Sequence, residues 1–103
     1  MDLVYHDEIR TFIKTLEKST QSKVVRGIEL IEQYGQNLGT PHVKKITVSL
    51  YELRTRGQQE VRIFYSIREG KAMLIHGFIK KTQKTPKREI ETAEKRLKGL
   101  TSI

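Results

Sequence analysis

MLIHGFIKKTQKTP, from Met73 to Pro86, continues into KREIETAEKRLKGL and decides how the chain is built. Its first half has apolar residues on both faces at a period of two, as a strand in the middle of a sheet does. Strict alternation puts His76, Phe78 and Lys80 on one face and Met73, Ile75 and Ile79 on the other. The strand then runs out into Lys80, Lys81 and Lys84, interleaved with Thr82, Gln83 and Thr85. A buried strand that delivers cations at its exit suits an anion site; a solvated lysine-rich connection is the alternative. A bulge near Gly77 would exchange Lys80 for Lys81 on the predicted face, so both lysines are carried.

Upstream of this stretch, EVRIFYSI (Glu60 to Ile67) alternates Val61, Ile63, Tyr65 and Ile67 against Arg62, Phe64 and Ser66. ITVSLYELR (Ile46 to Arg54) alternates Tyr51 and Leu53 against Glu52 and Arg54. Turn chemistry around Gly57 and at Arg68–Lys71 joins these segments into a three-stranded antiparallel meander. Upstream, Ile9, Phe12, Ile13 and Leu16 repeat at the helical period behind Asp7, a plausible N-cap. Ser19, Thr20 and Ser22 offer caps for a second helix, whose stripe is Val24, Ile28, Ile31 and Tyr34 or Gly35 and whose natural stop is Gly35. Asp2–Tyr5 is β-prone. Thr85 and Pro86 start a last helix with the stripe Ile90, Ala93 and Leu97, and Gly99 is expected to end it. The predicted fold is α+β: two N-terminal helices packed on a small, mostly antiparallel sheet (β-α-α-β-β-β), then a C-terminal helix, as a single domain over residues 1–103.

The helices are expected on the face carrying Val61, Ile63, Tyr65, Ile75 and Ile79. The other face then presents Arg54, Arg62, Phe64, His76, Phe78 and Lys80 uncovered. Cations among exposed aromatics are what RNA binding uses, phosphate pairing together with base stacking; a second small core under Phe64 and Phe78 is the competing expectation.

With 103 residues there is room for one modest core. Twenty Lys and Arg against twelve Asp and Glu give a net charge of +8, which favours polyanionic partners. No cysteine is present, so disulfides and thiolate metal sites are excluded, and a reducing cytosol suits the chain. No apolar run approaches the roughly 20 residues of a membrane helix, and MDLVYHDE has no signal-peptide pattern. Spacings such as His-x-x-x-His are absent, so no metal or other cofactor is expected.

LYELR, VRIFY and HGFIKKTQKTP, followed by the EIETAEKR helix, resemble the RelE/ParE-like toxins of type II toxin–antitoxin systems, in particular their HigB-type, phage-derived killer-protein branch. The resemblance covers essentially the whole chain. It implies a toxin that cleaves mRNA on the ribosome without a metal, with Arg54, Arg62, Lys80 and Lys81 where nuclease relatives keep basic active-site residues. Relatives on this scaffold also include gyrase poisons. A non-catalytic basic module that docks on RNA or on a partner is the third alternative. Two departures bear on mechanism. Glu52 stands where some nuclease members have Lys, and no Tyr follows Tyr65 to match their C-terminal active-site tyrosine.

Cleavage of RNA by its own 2′-hydroxyl needs a base, stabilisation of charge on phosphate and an acid for the leaving oxygen. Arg54 and Arg62 suit the second task. His76 is the histidine on the proposed face and the acid or base candidate, with a packed or hydrogen-bonded strand histidine as the alternative; His6 and His42 receive no role. Arg56 and Lys84, with Phe64 and Phe78, are expected to bind RNA. The resemblance further implies a cognate antitoxin, HigA-like with a helix-turn-helix domain. Their complex would be a higher oligomer that binds operator DNA through the antitoxin.

Overall fold

The computed structural model describes residues 1–101. Strand β1 (Asp2–Tyr5) leads into helices α1 (Asp7–Lys14) and α2 (Lys18–Tyr34) and a short 3-10 turn at Gly35–Asn37. Strands β2 (Val43–Lys45), β3 (Tyr51–Thr55), β4 (Val61–Arg68) and β5 (Lys71–Ile79) follow, and α3 (Lys87–Thr101) closes the chain. The sheet order is β1-β5-β4-β3-β2, with β1 parallel to β5 and every other pair antiparallel. The α+β architecture, the leading helices and the meander match the sequence expectation.

Several boundaries differ. Ile46–Arg54 is not one strand: Thr47–Ser49 form a turn, with Thr47 Oγ1 accepting from the backbone N–H of Ser49 and Leu50, and a separate β2 precedes it. His6, not Asp7, caps α1, its Nδ1 accepting from the Glu8 N–H at 3.1 Å. Glu17 precedes α2 in the cap position, ahead of Ser19, Thr20 and Ser22. The Glu17 backbone N–H donates to Gln59 Oε1, a partner from the β3–β4 loop. Gly35 ends α2 with φ of 52°, as its freedom from a Cβ permits. Gly99 does not end α3, because Leu100 behind it still reaches the core.

The largest departure is in β5. Its register runs Phe64 against His76 and then Tyr65 against Leu74, so Ile75 is an extra residue. A bulge of this kind puts two successive side chains on one side and reverses the alternation behind it. Ala72, Leu74, Gly77 and Ile79 therefore face α1 and α2, while Met73, Ile75, His76 and Phe78 face α3. Met73 and Ile75 are thus on the face opposite to the one strict alternation assigns them.

Two cores result. Under α1 and α2 lie Ile9, Val24, Ile28, Ile31, Leu53, Val61, Ile63, Tyr65 and Leu74. Gly77 lets the Phe12 ring lie on the sheet, since a Cβ there would meet Phe12 Cδ2 at 2.5 Å. Under α3 lie Phe64, Met73, Ile75, Phe78 and Ala93, with Ile90, Leu97 and Leu100 at the margin. The sheet is covered on both faces, and the open platform expected beside Phe64 and Phe78 does not exist.

Candidate nucleic-acid interface

Arg54 and Arg62 are directly opposed across β3 and β4, and Glu52 lies two residues before Arg54 on the same face. Two guanidinium groups in neighbouring positions repel unless a carboxylate is supplied. Glu52, 1% exposed, supplies it: Oε1 accepts from Arg54 Nε at 3.3 Å and lies 3.9 Å from Arg62 Nε. Thr85, just before α3, donates its hydroxyl to Glu52 Oε2 at 3.0 Å. Arg62, 3% exposed, donates through Nη1 to Glu60 Oε2 at 3.2 Å and to its neighbour's carbonyl, Val61 O, at 3.0 Å. Its Nε is a buried donor without a hydrogen-bond partner among the described residues.

Around Glu52 and its two arginines the surface is cationic. The Lys80 backbone N–H donates to Glu60 O at 2.7 Å, which ties the exit of β5 to the start of β4. Arg56, Arg62, Lys80 and Lys81 consequently line one shallow depression together with Glu60, Thr82 and Gln83. The strand exit meets one member of the arginine pair here, Arg62; Arg54 does not line this depression and borders the separate groove beside α2 instead. Lys84 lies outside the depression, exposed in a loop braced by Thr82 Oγ1 donating to Lys84 O. Glu60 and Gln83 were not singled out from sequence. Glu60 precedes Arg62 by two residues, the same-face spacing of an extended chain, which is the signal that could have found it.

The structure separates His76 from this depression. His76 Nε2 donates to Glu89 Oε1 at 2.9 Å, and Nδ1 accepts from Arg96 Nη1 at 3.1 Å, which sets the Nε2–H tautomer. Arg96 Nη1 also donates to Ile75 O at 3.3 Å, so the bulge supplies α3 with a carbonyl to grip. The His76 ring stacks on Phe78, 5.8 Å between centroids, and Phe78 packs on Phe64 at 5.4 Å. Phe64 is fully buried and Phe78 nearly so. The expectation of exposed aromatics ready to stack on bases is therefore corrected: both rings are core residues beneath α3. Glu89 and Arg96, missed from sequence, hold that helix in place.

Elsewhere the phenol of Tyr65 has its titration pushed up by burial and by the neighbouring Tyr51. Among the described residues no group of three or more His, Asp or Glu side chains is placed to hold a metal ion. No helix among them is long and apolar enough to cross a membrane.

A phage-derived family whose model is described as "Phage derived protein Gp49-like" matches residues 11–98, from α1 through most of α3. The chain is a Gp49-like protein. The Gp49-like family is a toxin-like family of toxin–antitoxin systems, in agreement with the superfamily resemblance carried by LYELR, VRIFY and HGFIKKTQKTP. No curated protein matches the chain.

Proposed function

We propose that this Gp49-like protein is a HigB-type toxin that cleaves mRNA on the ribosome without a metal ion. The observation that carries this reading is the depression in which Arg56, Arg62, Lys80 and Lys81 converge around Glu60. Lys80, Lys81 and Arg56 bind the phosphates flanking the scissile bond, and Arg62, buried in the wall of the depression and held on Glu60 and Glu52, contributes positive potential toward the charge growing on the phosphoryl oxygens rather than a direct contact. Glu60, 38% exposed and hydrogen-bonded to Arg62, is the carboxylate placed to accept a proton from a 2′-hydroxyl. Arg54 acts through Glu52 as a positioning residue. His76, committed to Glu89 and Arg96, receives the same kind of role by seating α3. As Glu60 takes the 2′-hydroxyl proton and that oxygen attacks phosphorus, the bond to the 5′-oxygen breaks and the leaving oxygen takes a proton from the ammonium of Lys80 or Lys81; a depression this shallow suits a catalyst whose substrate is ordered by the ribosome.

A cognate helix-turn-helix antitoxin would neutralise the toxin by covering the same cationic surface, charge against charge, and the pair would assemble into a higher oligomer on operator DNA. A cytoplasmic site of action follows from the ribosomal target. The gyrase-poison alternative keeps one specific point in its favour: Glu52 neutralises the arginine pair on which nuclease chemistry leans.

Induced expression followed by mapping of transcript 5′ ends tests the reading. New ends inside translated regions are expected, and they should vanish in Lys80→Ala/Lys81→Ala. Growth arrest with intact transcripts and lost gyrase supercoiling would replace the nuclease by the alternative.

A further inference from the structure

A second cationic feature adjoins the depression; it shares Arg54 and Arg56 with the roles above, while Lys23, Arg26 and His42 are absorbed by none of them. Between α2 and the open end of β3 runs a groove lined by Lys23, Arg26, His42, Arg54 and Arg56, with Leu53 and Gly27 as its floor. Its shape is set by Gly27: a Cβ there would lie 3.1 Å from Leu53 Cδ2, so the glycine lets α2 approach β3 closely. Lys23 and Arg26 project along the wall from the preceding turn of α2. Lys23 Nζ reaches across to Arg56 O at 3.5 Å, and His42 is fixed beside Arg54 because the Arg54 N–H donates to His42 O at 2.8 Å.

Two properties set this groove apart. No carboxylate is among its lining residues, whereas the groove between β1, α1 and α2 mixes Arg10 and Lys14 with Glu29 and Glu32. Lys23, Arg26 and Arg56 enter no ion pair among the described residues, so their charge is available to an external anion. Arg56 borders both the groove and the depression, which makes the two one continuous track.

We infer that the groove is a second, non-catalytic site that holds the sugar-phosphate backbone of single-stranded RNA as it leaves the depression. Lys23, Arg26 and Arg56 pair with successive phosphates, and His42 adds a hydrogen-bonding edge. A cationic groove with few aromatics tracks the backbone without reading sequence, so the site adds affinity and direction but no base preference. The inference takes RNA as the ligand class from the function proposed above, and its test is separable from that reading.

The probe is a fluorescent, fully 2′-O-methylated oligoribonucleotide of about 12 nucleotides, within the roughly 4–16 nucleotides such grooves cover; lacking a free 2′-hydroxyl, it is bound but not cut. Anisotropy titrations against salt compare the unaltered chain with Lys23→Gln/Arg26→Gln and with Lys95→Gln/Lys98→Gln, an equal charge loss on exposed positions of α3. Each phosphate contact removed lowers the slope of log K against log salt by about 0.7, so the groove pair is expected to lose about 1.4 in slope and to bind roughly 20-fold more weakly at 0.1 M salt. The α3 pair should change neither by more than a small part of that. Equal behaviour of the two variants overturns the inference. So does a groove variant that keeps its RNA affinity but fails to capture the acidic product of an adjacent gene, because the groove would then be a protein interface. Transcript mapping on the lysine variant is independent of this outcome: a toxin that binds the probe through the groove yet cuts nothing leaves the inference standing and removes the nuclease.

Discussion

Glu52→Gln removes the charge that holds the arginine pair together and leaves the shape almost unchanged. Glu52 is 1% exposed, lies 3.3 Å from Arg54 Nε and 3.9 Å from Arg62 Nε, and accepts from Thr85. A glutamine can keep its single oxygen toward Arg54 Nε and donate its NH2 to the Thr85 hydroxyl, reversing that hydrogen bond, so the perturbation is chiefly one of charge. Breaking a buried pair by removing one partner costs about 3–5 kcal/mol, because the other charge stays buried and uncompensated. Two features lower that figure here. Arg54 is 21% exposed and recovers hydration, and Arg62 keeps Glu60 at 3.2 Å. The expected loss is about 2–4 kcal/mol, or roughly 10–20 °C in Tm for a domain of this size. Thermal unfolding followed by circular dichroism, with denaturant titration for the free energy, measures it directly. A loss well under 1 kcal/mol would show that Arg62 reaches solvent and that Glu52 with its two arginines is not what joins β3 to β4.

Three further outcomes are expected. Gly77→Ala forces a Cβ to within 2.5 Å of the Phe12 ring; overpacking of this kind costs about 1–3 kcal/mol, and Phe12→Leu in the same chain should recover part of the denaturation midpoint. Glu89→Ala takes away the acceptor of His76 Nε2 and should weaken α3 by about 1–2 kcal/mol, read as faster amide exchange in α3 with α2 unaffected. Tyr65 has its pKa raised from 10.0 in the folded state. The folded chain therefore resists ionisation while the unfolded chain does not, and this contribution to stability is intact below pH 10 and declines above it. The decline is about 1.4 kcal/mol per pH unit until the folded-state pKa is reached. Tyr65→Phe should flatten that part of a stability–pH curve, and an unchanged alkaline slope would contradict it.

Strands β3 and β4 and the two leading helices were legible in the sequence because Tyr51–Arg54, Val61–Ile67 and the helical stripes each hold one period and end in turn residues. Strand β5 does not. Ile75 and His76 sit on the same side of the bulge, so strict alternation assigned Met73 and Ile75 to the wrong face. The same error hid the cover. With Met73 and Ile75 added to Phe64 and Phe78, that face has an apolar area that needs a helix, and the stripe Ile90, Ala93, Leu97 is the helix that meets it. Beta2 escaped notice because three residues ending in two exposed lysines carry almost no pattern. The convergence of Arg62 with Lys80 and Lys81 was visible in face parity, since the chain beyond the bulge keeps its alternation. Glu60, Glu89 and Arg96 were not, because each acquires meaning only from a partner on another element or beside a buried arginine.

The nuclease reading stands or falls on cleavage of mRNA on the ribosome by the Arg56–Arg62–Lys80–Lys81 depression. Purified protein added to a defined transcript, once naked and once threaded into initiated ribosomes, tests it most directly, with fragment ends resolved by primer extension. Ends are expected within the ribosome-bound codons, none on naked RNA, and none at all with Lys80→Ala/Lys81→Ala. A transcript that stays whole on the ribosome, or that is cut equally well by the double variant, would contradict it.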